Sequence, residues 1–202
     1  GDAKRILMGL TNNYLYKDLF MYRGIKKPDL IQKLVRALAL QLGNEVSYNE
    51  LSSLLGVDRG TIETYINLLE KCFVVFRLDS FSRNLRNEIK KGKKIYFYDN
   101  GIRNAVLSNF APLELRNDTG ALWERVKRNS YLGDFAQLFF WRTHEQQEID
   151  LVEEQDGVLR TFEFKWNDKV KVKRPKSFVD AYPNSTYEVV TPENYWNFIR
   201  ID

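Results

Sequence analysis

The stretch from Glu148 to Trp166, EIDLVEEQDGVLRTFEFKW, holds six acidic residues, and two of them, Asp150 and Glu163, are spaced so that they and Lys165 could act together. Apolar and polar residues alternate on both sides of Asp156-Gly157, which is the period of two half-buried strands. Asp-Gly is a strong signal for a two-residue hairpin loop. The sequence therefore predicts a β-hairpin in which Gln155 pairs with Val158.

The register of this hairpin decides which side chains meet. Counting outward from the loop places Asp150 opposite Glu163 and Glu148 opposite Lys165, and the alternation of side chains places all four on one face. Two facing carboxylates repel each other, whereas a divalent cation between them would make the contact favourable. The pattern predicts a metal held by Asp150 and Glu163 with Lys165 beside it. The alternative is the ordinary solvated face of an amphipathic hairpin.

The elements that position this hairpin must come from a chain of 202 residues, which suffices for one large domain or two small ones. Hydrophobic residues make up 44% and aromatic residues 14%, so the chain can bury a core. Cys72 is the only cysteine, which excludes an internal disulfide and a cysteine-based zinc site. There is no signal peptide and no long apolar span, so we expect a cytoplasmic protein without a membrane partner. No G-x-x-x-x-G-K-[ST] motif is present, so the chain has no P-loop of its own.

The first half of the chain predicts three helices. Pro28 suits the first turn of a helix, and Ser47-Tyr48-Asn49-Glu50 is a capping box that opens a short helix ending at Leu55. Gly56 turns the chain and Asp58 caps the next helix. Three helices with a tight turn before the third are typical of a helix-turn-helix.

A basic wing follows the third helix. The strand-like runs Phe73–Leu78 and Lys94–Tyr98 flank the segment Ser80–Lys93, which is rich in lysine and arginine. We predict a winged helix-turn-helix domain over residues 28–112, preceded by a helical connector at residues 1–27.

The net charge is only +4, but the charges are segregated along the chain. Residues 83–94 and residues 165–176 each hold six bases and one acid, whereas residues 145–156 hold six acids and no base. Lysine and arginine contact phosphates without reading sequence, so we predict nucleic acid as the partner. The predicted phosphate-binding residues are Arg83, Arg86, Lys90, Lys91, Lys93, Lys94, Lys169, Lys171, Lys173 and Arg174. The third helix is the candidate for groove reading, but it exposes Glu63 and few bases, and a winged helix that docks a protein is the alternative.

The second half of the chain predicts an α/β domain over residues 113–202. After residue 119 the patterns favour, in order, a helix at 120–131, a strand at 135–142, the hairpin, a helix ending at 179–182 and a strand at 187–190.

Several segments, taken in order, resemble one family. They are GVDRGTIETYINLLEKCFVVFRL, FSRNLRNEIKKGKKIYFYDNGIRNAVL, TGALWERV, FFWRTHEQQEIDLV and FEFKW. Together they are similar to the C-terminal region of bacterial and archaeal AAA+-like ATPases, over residues 10–170. In that family a P-loop ATPase module precedes a winged helix and a PD-(D/E)XK nuclease-like domain of unknown function. The resemblance implies an α/β fold in which a winged helix-turn-helix domain is followed by a restriction-endonuclease-like domain with a mixed sheet. It also implies that ATP binds only to an upstream module absent from this chain.

The resemblance also implies roles for individual residues. Asp, a hairpin and then Glu-x-Lys is the nuclease-like pattern, in which the two acids hold Mg²⁺ and the lysine activates or orients the attacking water. Asp150, Glu163 and Lys165 match those positions, and Glu124 matches an acid that the superfamily places on its first helix near the metal. The implied catalytic residues are thus these four, with the three acids as metal ligands.

Three hypotheses follow for function. The first is a Mg²⁺-dependent phosphodiesterase domain that acts on nucleic acid. The second is a non-catalytic docking or regulatory module that couples an ATPase to DNA or to a protein, and the third is a winged-helix regulator that its C-terminal half dimerises. The chain begins Gly1-Asp2-Ala3, as expected of a piece of a longer protein, although removal of a tag gives the same start. We favour ATPase-associated nucleic-acid binding and leave cleavage, strand preference and oligomeric state open.

Overall fold

The structure, a computed structural model, describes residues 5–6, 8–9, 27–83, 92–110, 136–165, 167, 172–194 and 198. Within them the fold is mixed α/β, with five helices and a six-stranded mixed sheet. The helices are α1 Pro28–Leu40, α2 Tyr48–Leu55, α3 Arg59–Lys71, α4 Asn100–Leu107 and α5 Lys176–Ala181. The strands are β1 Val75–Ser80, β2 Lys93–Phe97, β3 Gln137–Arg142, β4 Glu148–Gln155, β5 Val158–Phe164 and β6 Thr186–Val190.

The chain separates into two compact units. One comprises Gly1–Arg77 and Ile95–Asn117, and the other Leu78–Lys94 and Asp118–Asp202. No helix in the described ranges is long and apolar enough to cross a membrane.

The first three helices begin, and α2 ends, at the residues that the sequence predicts. Pro28 opens α1. The Glu50 N–H donates to Ser47 Oγ at 3.3 Å before α2, and the Thr61 N–H donates to Asp58 Oδ1 at 2.8 Å before α3. Gly56 ends α2 with φ +65°, a left-handed conformation that glycine adopts without a steric cost. These predictions are confirmed, and they are local enough to be decided by capping chemistry.

The first unit buries the apolar faces of its helices, and α1 contacts both α2 and α4 while α2 contacts α3. Two arginine side chains in this unit, Arg77 and Arg103, form hydrogen bonds or ion pairs. Arg77 on β1 forms an ion pair with Glu70 on α3, and its side chain also donates to Tyr48 Oη at 3.4 Å. Arg103, only 4% exposed, donates through Nε to the carbonyl of Ala39 at 3.2 Å.

The sheet has the strand order β2-β1-β3-β4-β5-β6. β3 runs parallel to β1 and antiparallel to β4, β4 is antiparallel to β5, and β5 is parallel to β6. This strand order places the hairpin β4–β5 in the interior of the sheet, between β3 and β6. Both of its strands are therefore held by ladders that fix their register.

The predicted hairpin register is confirmed. Gln155 pairs with Val158 and the pairing continues without a shift to Leu151 and Phe162. Asp156 and Gly157 have φ values of 52° and 81°, and two positive φ values are what a type I′ hairpin turn requires.

A bulge interrupts β4 where it pairs with β3. The register shifts by one residue, and the pairs on either side of the shift are Phe139 with Val152 and Trp141 with Ile149. Two residues of β4, Asp150 and Leu151, therefore lie opposite a single residue of β3. Bulges bend a strand and re-aim its side chains. In agreement with this, Ile149 and Val152 belong to one hydrophobic cluster although they are three residues apart.

That cluster forms the core on one face of the sheet of the second unit. Its buried members are Phe81, Trp141, Ile149, Val152, Leu159 and Phe178, with Phe139, Tyr182 and Tyr187 packed against them. Helix α5 joins the cluster through Phe178, whose ring meets Trp141 edge-on at 5.0 Å between centroids. On β5, Phe162 and Phe164 both contact Phe198. The strand is thus covered on both sides.

Three further predicted strands lie where the sequence predicts them, and two predicted segments lie wholly or mostly outside the described residues. The strands predicted around 73–78, 94–98 and 187–190 correspond to β1, β2 and β6. The helix predicted at 120–131 lies outside the described residues, and so does most of the segment 80–93 that was predicted to form the wing.

Candidate metal and phosphate site

Asp150 lies at the bulge of β4, and its carboxylate reaches across the hairpin. Asp150 Oδ2 accepts the backbone N–H of Phe164 at 2.9 Å. The bond joins the two strands beyond their last ladder pair, which is Leu151 with Phe162. A carboxylate held by a backbone donor has one orientation, which favours a preorganised site.

Glu163 on β5 lies beside Asp150, and its side chain is only 12% exposed. Its Oε1 accepts from Lys165 Nζ at 2.7 Å. Its Oε2 is shielded from solvent and has no hydrogen-bond partner in the described part of the chain. A buried carboxylate oxygen without a partner costs free energy, so a cation or a polar ligand at this atom would be stabilising.

The electrostatics of Glu163 reflect the same arrangement. Burial raises the pKa of the Glu163 carboxyl above its ordinary value, and the negative charge of Asp150 raises it further. The hydrogen bond and the charge of Lys165 oppose both effects without cancelling them. A carboxyl whose ionisation is hindered by burial and by a neighbouring carboxylate is in the condition that a bound divalent cation relieves.

The residues present fit a hard divalent cation. Mg²⁺ is usually bound through one or two carboxylates and several waters, and Asp150 and Glu163 supply two carboxylates with one unsatisfied buried oxygen. Across the described ranges, no three His, Cys, Asp or Glu side chains gather into a metal-binding group. Glu124, the third predicted ligand, lies outside the described residues.

Tyr187 adds a hydroxyl that sequence reasoning did not assign to the site. β6 runs parallel to β5 with Tyr187 paired to Thr161 and Val189 paired to Glu163, so Tyr187 shares a face with Glu163, two residues along the strand. Its hydroxyl is buried and has no hydrogen-bond partner among the described residues. Burial, and then the charges of Glu163 and Asp150, raise the pKa of Tyr187. The phenol therefore stays protonated and can only gain by donating its proton to an acceptor.

Arg174 brings a positive charge beside Tyr187. Its guanidinium carbon lies 5.8 Å from the ring centre of Tyr187 and 5.9 Å from that of Phe178. One terminal nitrogen donates to the Ser185 carbonyl at 2.7 Å and also to the Ser185 hydroxyl. Its Nε is buried without a partner among the described residues.

Glu148 differs from the expectation. It was predicted to face Lys165, but its carboxylate accepts from Lys94 Nζ at 2.6 Å and lies 3.5 Å from Arg142 Nε. Glu148 is paired with Arg142 on β3, whereas the pairing of β4 with β5 extends only from Gln155 to Leu151, so the hairpin ladder ends before it reaches Glu148 and Lys165. The structure brings Asp150, Glu163 and Lys165 together and leaves Glu148 in a separate ion-pair cluster.

The predicted phosphate-binding residues have varied surroundings. Lys173 is exposed and Lys93 is half-buried. Arg83 is about half exposed and forms an ion pair with Glu154. Lys94 is 2% exposed and bonded to Glu148, so we leave it out of the proposed phosphate contacts. The predicted residues outside the described part of the chain are Arg86, Lys90, Lys91, Lys169 and Lys171.

Comparison with known proteins identifies family matches in both halves of the chain. Residues 2–113 match the family described as Domain of unknown function (DUF8612), and residues 119–196 match Domain of unknown function (DUF4143). The second match contains Asp150, Glu163 and Lys165.

Curated relatives occur in bacteria and archaea. An uncharacterized protein of Mycobacterium tuberculosis is 28% identical over 162 residues, which are 78% of this chain and 36% of the relative. One of Haemophilus influenzae is 22% identical over 152 residues, 73% of this chain and 36% of the relative. One of Methanocaldococcus jannaschii is 29% identical over 102 residues, 48% of this chain and 21% of the relative. The chain thus spans well under half the length of these relatives, and no solved structure matches it.

Proposed function

The chain belongs to the family described as Domain of unknown function (DUF8612), whose model covers residues 2–113, and from that premise and the carboxylate site we propose that it is a nucleic-acid-binding region with a divalent-metal phosphodiesterase site. One observation carries the proposal. Asp150 lies beside Glu163 on one hairpin and raises the pKa of its buried carboxyl, and Glu163 Oε2 has no hydrogen-bond partner among the described residues. The sequence resemblance to a winged helix followed by a PD-(D/E)XK nuclease-like domain supports the same function.

The proposed reaction is phosphodiester hydrolysis, in which a water oxygen bonds to phosphorus and one P–O ester bond breaks to give a phosphate monoester and an alcohol. Asp150 and Glu163 would hold the cation, which when bound supplies a more acidic water and a positive charge beside the phosphate. Lys165, whose ammonium is 2.7 Å from Glu163 Oε1, would donate to a phosphate oxygen or orient the water. Glu124 stays a proposed third ligand.

Cleavage assays on the purified chain test this function. We expect Mg²⁺- or Mn²⁺-dependent cleavage of labelled DNA or RNA, and a loss of at least a hundredfold, an order-of-magnitude expectation, in Asp150→Asn and Glu163→Gln. Glu188→Gln is the matched control, because Glu188 is exposed on the neighbouring strand β6. If neither DNA nor RNA is cleaved, as single strands or as duplexes, the result would favour the non-catalytic docking module.

We further propose that the chain meets nucleic acid through phosphates and not through base edges. The predicted basic residues cluster in two segments, whereas α3, the candidate for groove reading, exposes Glu63. Phosphate contacts release counterions, so affinity should fall with salt with a logarithmic slope of about −0.9 per contact.

Titrations of two unrelated duplexes at several salt concentrations test this binding mode. Changing Lys90, Lys91 and Lys93 together to Ala should weaken binding to both duplexes alike and flatten the slope. Asn67→Ala on α3 is the control and should change little. A strong preference for one duplex would contradict the phosphate mode.

We propose that the whole protein contains a P-loop ATPase module outside this chain, since the aligned part of the chain covers only 36% of two of its relatives and the chain resembles the region that follows such a module. The chain alone should not hydrolyse ATP, because it lacks the phosphate-cradling loop and its lysine. ATP turnover by the purified chain at a rate above that of buffer would contradict this.

A further inference from the structure

Three buried polar atoms on β5, on β6 and in the segment before α5 need an explanation. They are Glu163 Oε2, the Tyr187 hydroxyl and Arg174 Nε, none of which has a hydrogen-bond partner among the described residues. Buried polar atoms are nearly always hydrogen-bonded, and each exception calls for a cause such as a ligand. Tyr187 connects the other two residues, because its ring centre lies 5.8 Å from the Arg174 guanidinium carbon and the pairing of β6 with β5 places it on the same face as Glu163.

The chemistry of the three atoms is complementary to a cation and an anion bound together. Glu163 Oε2 can only accept or coordinate, whereas the Tyr187 hydroxyl and Arg174 Nε can donate hydrogen bonds. A cation beside Asp150 and Glu163 leaves both donors still in need of acceptors. A phosphate group offers several oxygens, and arginine binds such oxygens in a charge-assisted manner.

The surroundings hold these donors in place. Arg174 is tethered by its bonds to the Ser185 carbonyl and hydroxyl, and its guanidinium lies against the rings of Phe178 and Tyr187. Tyr187 packs against the core cluster of the sheet and is set on β6 by its pairing with Thr161. Preorganised donors lose little conformational entropy on binding.

We propose that Tyr187 and Arg174 form the subsite that binds the non-bridging oxygens of a substrate phosphate beside the Asp150–Glu163 metal site. This inference rests on the proposed function and goes beyond it by naming a hydroxyl donor, Tyr187, that no sequence motif indicates. It also gives Arg174 a position at the site itself and not on a distant phosphate of the nucleic acid.

Isothermal titration of thymidine 3′,5′-bisphosphate into the full chain, with and without saturating Mn²⁺, tests the subsite without any need for turnover. We expect Tyr187→Phe and Arg174→Lys each to weaken binding of this probe by about tenfold or more. The affinity of each variant for Mn²⁺, measured separately, should stay within about twofold of that of the unmodified chain, because neither residue is a proposed metal ligand.

Matched controls separate the subsite from general packing. Tyr182→Phe removes the hydroxyl of another tyrosine in the same cluster, and Arg160→Lys makes the same change at an exposed arginine of β5. Both should bind the probe as the unmodified chain does. Unchanged probe binding by Tyr187→Phe and Arg174→Lys, with Mn²⁺ still bound, would overturn the subsite and leave the metal site standing. A chain that binds no Mn²⁺ would overturn the proposed function and this inference with it.

Discussion

Glu148 and Asp150 are two positions apart on β4 and have opposite electrostatic surroundings. Glu148 lies between two cations, with Lys94 Nζ at 2.6 Å and Arg142 Nε at 3.5 Å. Asp150 lies beside a second carboxylate, and its presence raises the pKa of Glu163. Glu148 is paired with Arg142 on β3 and Asp150 accepts the Phe164 N–H of β5, so the two carboxylates of one strand have partners on different neighbouring strands.

The difference distinguishes a structural carboxylate from a functional one. Breaking a buried ion pair leaves an uncompensated charge, so Glu148 is expected to stabilise the fold. Two adjacent carboxylates destabilise the fold unless a ligand compensates them, so Asp150 and Glu163 are expected to cost stability in the absence of metal. Removing the charge of Glu148 should therefore lower the free energy of unfolding, whereas removing a charge from the Asp150–Glu163 pair should raise it in the absence of metal.

The largest effect on stability is expected at Glu148. Glu148→Gln removes the carboxylate that faces Lys94, whose side chain is 2% exposed. We expect a loss of about 3 kcal/mol, at the lower end of the range for a broken buried pair because Glu148 is partly solvated. Urea unfolding measures it, and Glu145→Gln, at an exposed neighbour, should change stability by less than about 0.5 kcal/mol. A neutral Glu148→Gln would remove the contrast on which the comparison depends.

The next effect is metal-linked stabilisation. If Asp150 and Glu163 bind Mn²⁺, a concentration about thirty times the dissociation constant should stabilise the chain by about 2 kcal/mol. Asp150→Asn should abolish this gain, and Glu148→Gln should keep it on a less stable background. Thermal unfolding with and without Mn²⁺ shows both. An equal gain in Asp150→Asn would place the ion elsewhere.

A smaller effect of opposite sign is expected at Glu163 without metal. Glu163→Gln removes one of two repelling charges, and we expect it to raise the stability of the metal-free chain at pH 7 by up to about 1 kcal/mol. Urea unfolding in the presence of EDTA measures it. Destabilisation by this substitution would mean that the ion pair with Lys165 outweighs the repulsion.

The smallest effect is the pH dependence that Glu163 contributes. Its pKa is raised in the folded chain, so its favourable contribution is full below its ordinary value of 4.5 and is lost as pH rises through the raised value. Comparison of unfolding free energies of the unmodified chain and Glu163→Gln from pH 4.5 upward isolates this contribution. As the pH rises, Glu163→Gln should become more stable relative to the unmodified chain. A relative gain in stability by the unmodified chain would contradict the raised pKa of Glu163.

The local features of the site could be predicted from the sequence. Asp156-Gly157 adopts two positive φ values and sets the hairpin register, because turn chemistry depends on neighbours in the chain. The bulge at Asp150 could not be predicted, because it depends on how β3 aligns with β4. Lys94 was expected at the surface, but its partner Glu148 is 54 residues away. Tyr187 joins the site only through the parallel pairing of β6 with β5, which no local pattern reveals.

The central claim, a divalent cation held between Asp150 and Glu163, is tested most directly by anomalous scattering from crystals soaked in Mn²⁺. We expect a manganese peak within coordination distance of one Asp150 oxygen and of Glu163 Oε2, the oxygen that lacks a partner among the described residues. The same soak of Asp150→Asn crystals should show no such peak. A well-ordered hairpin without manganese between the two carboxylates, or with manganese bound only at Glu148, would contradict the account.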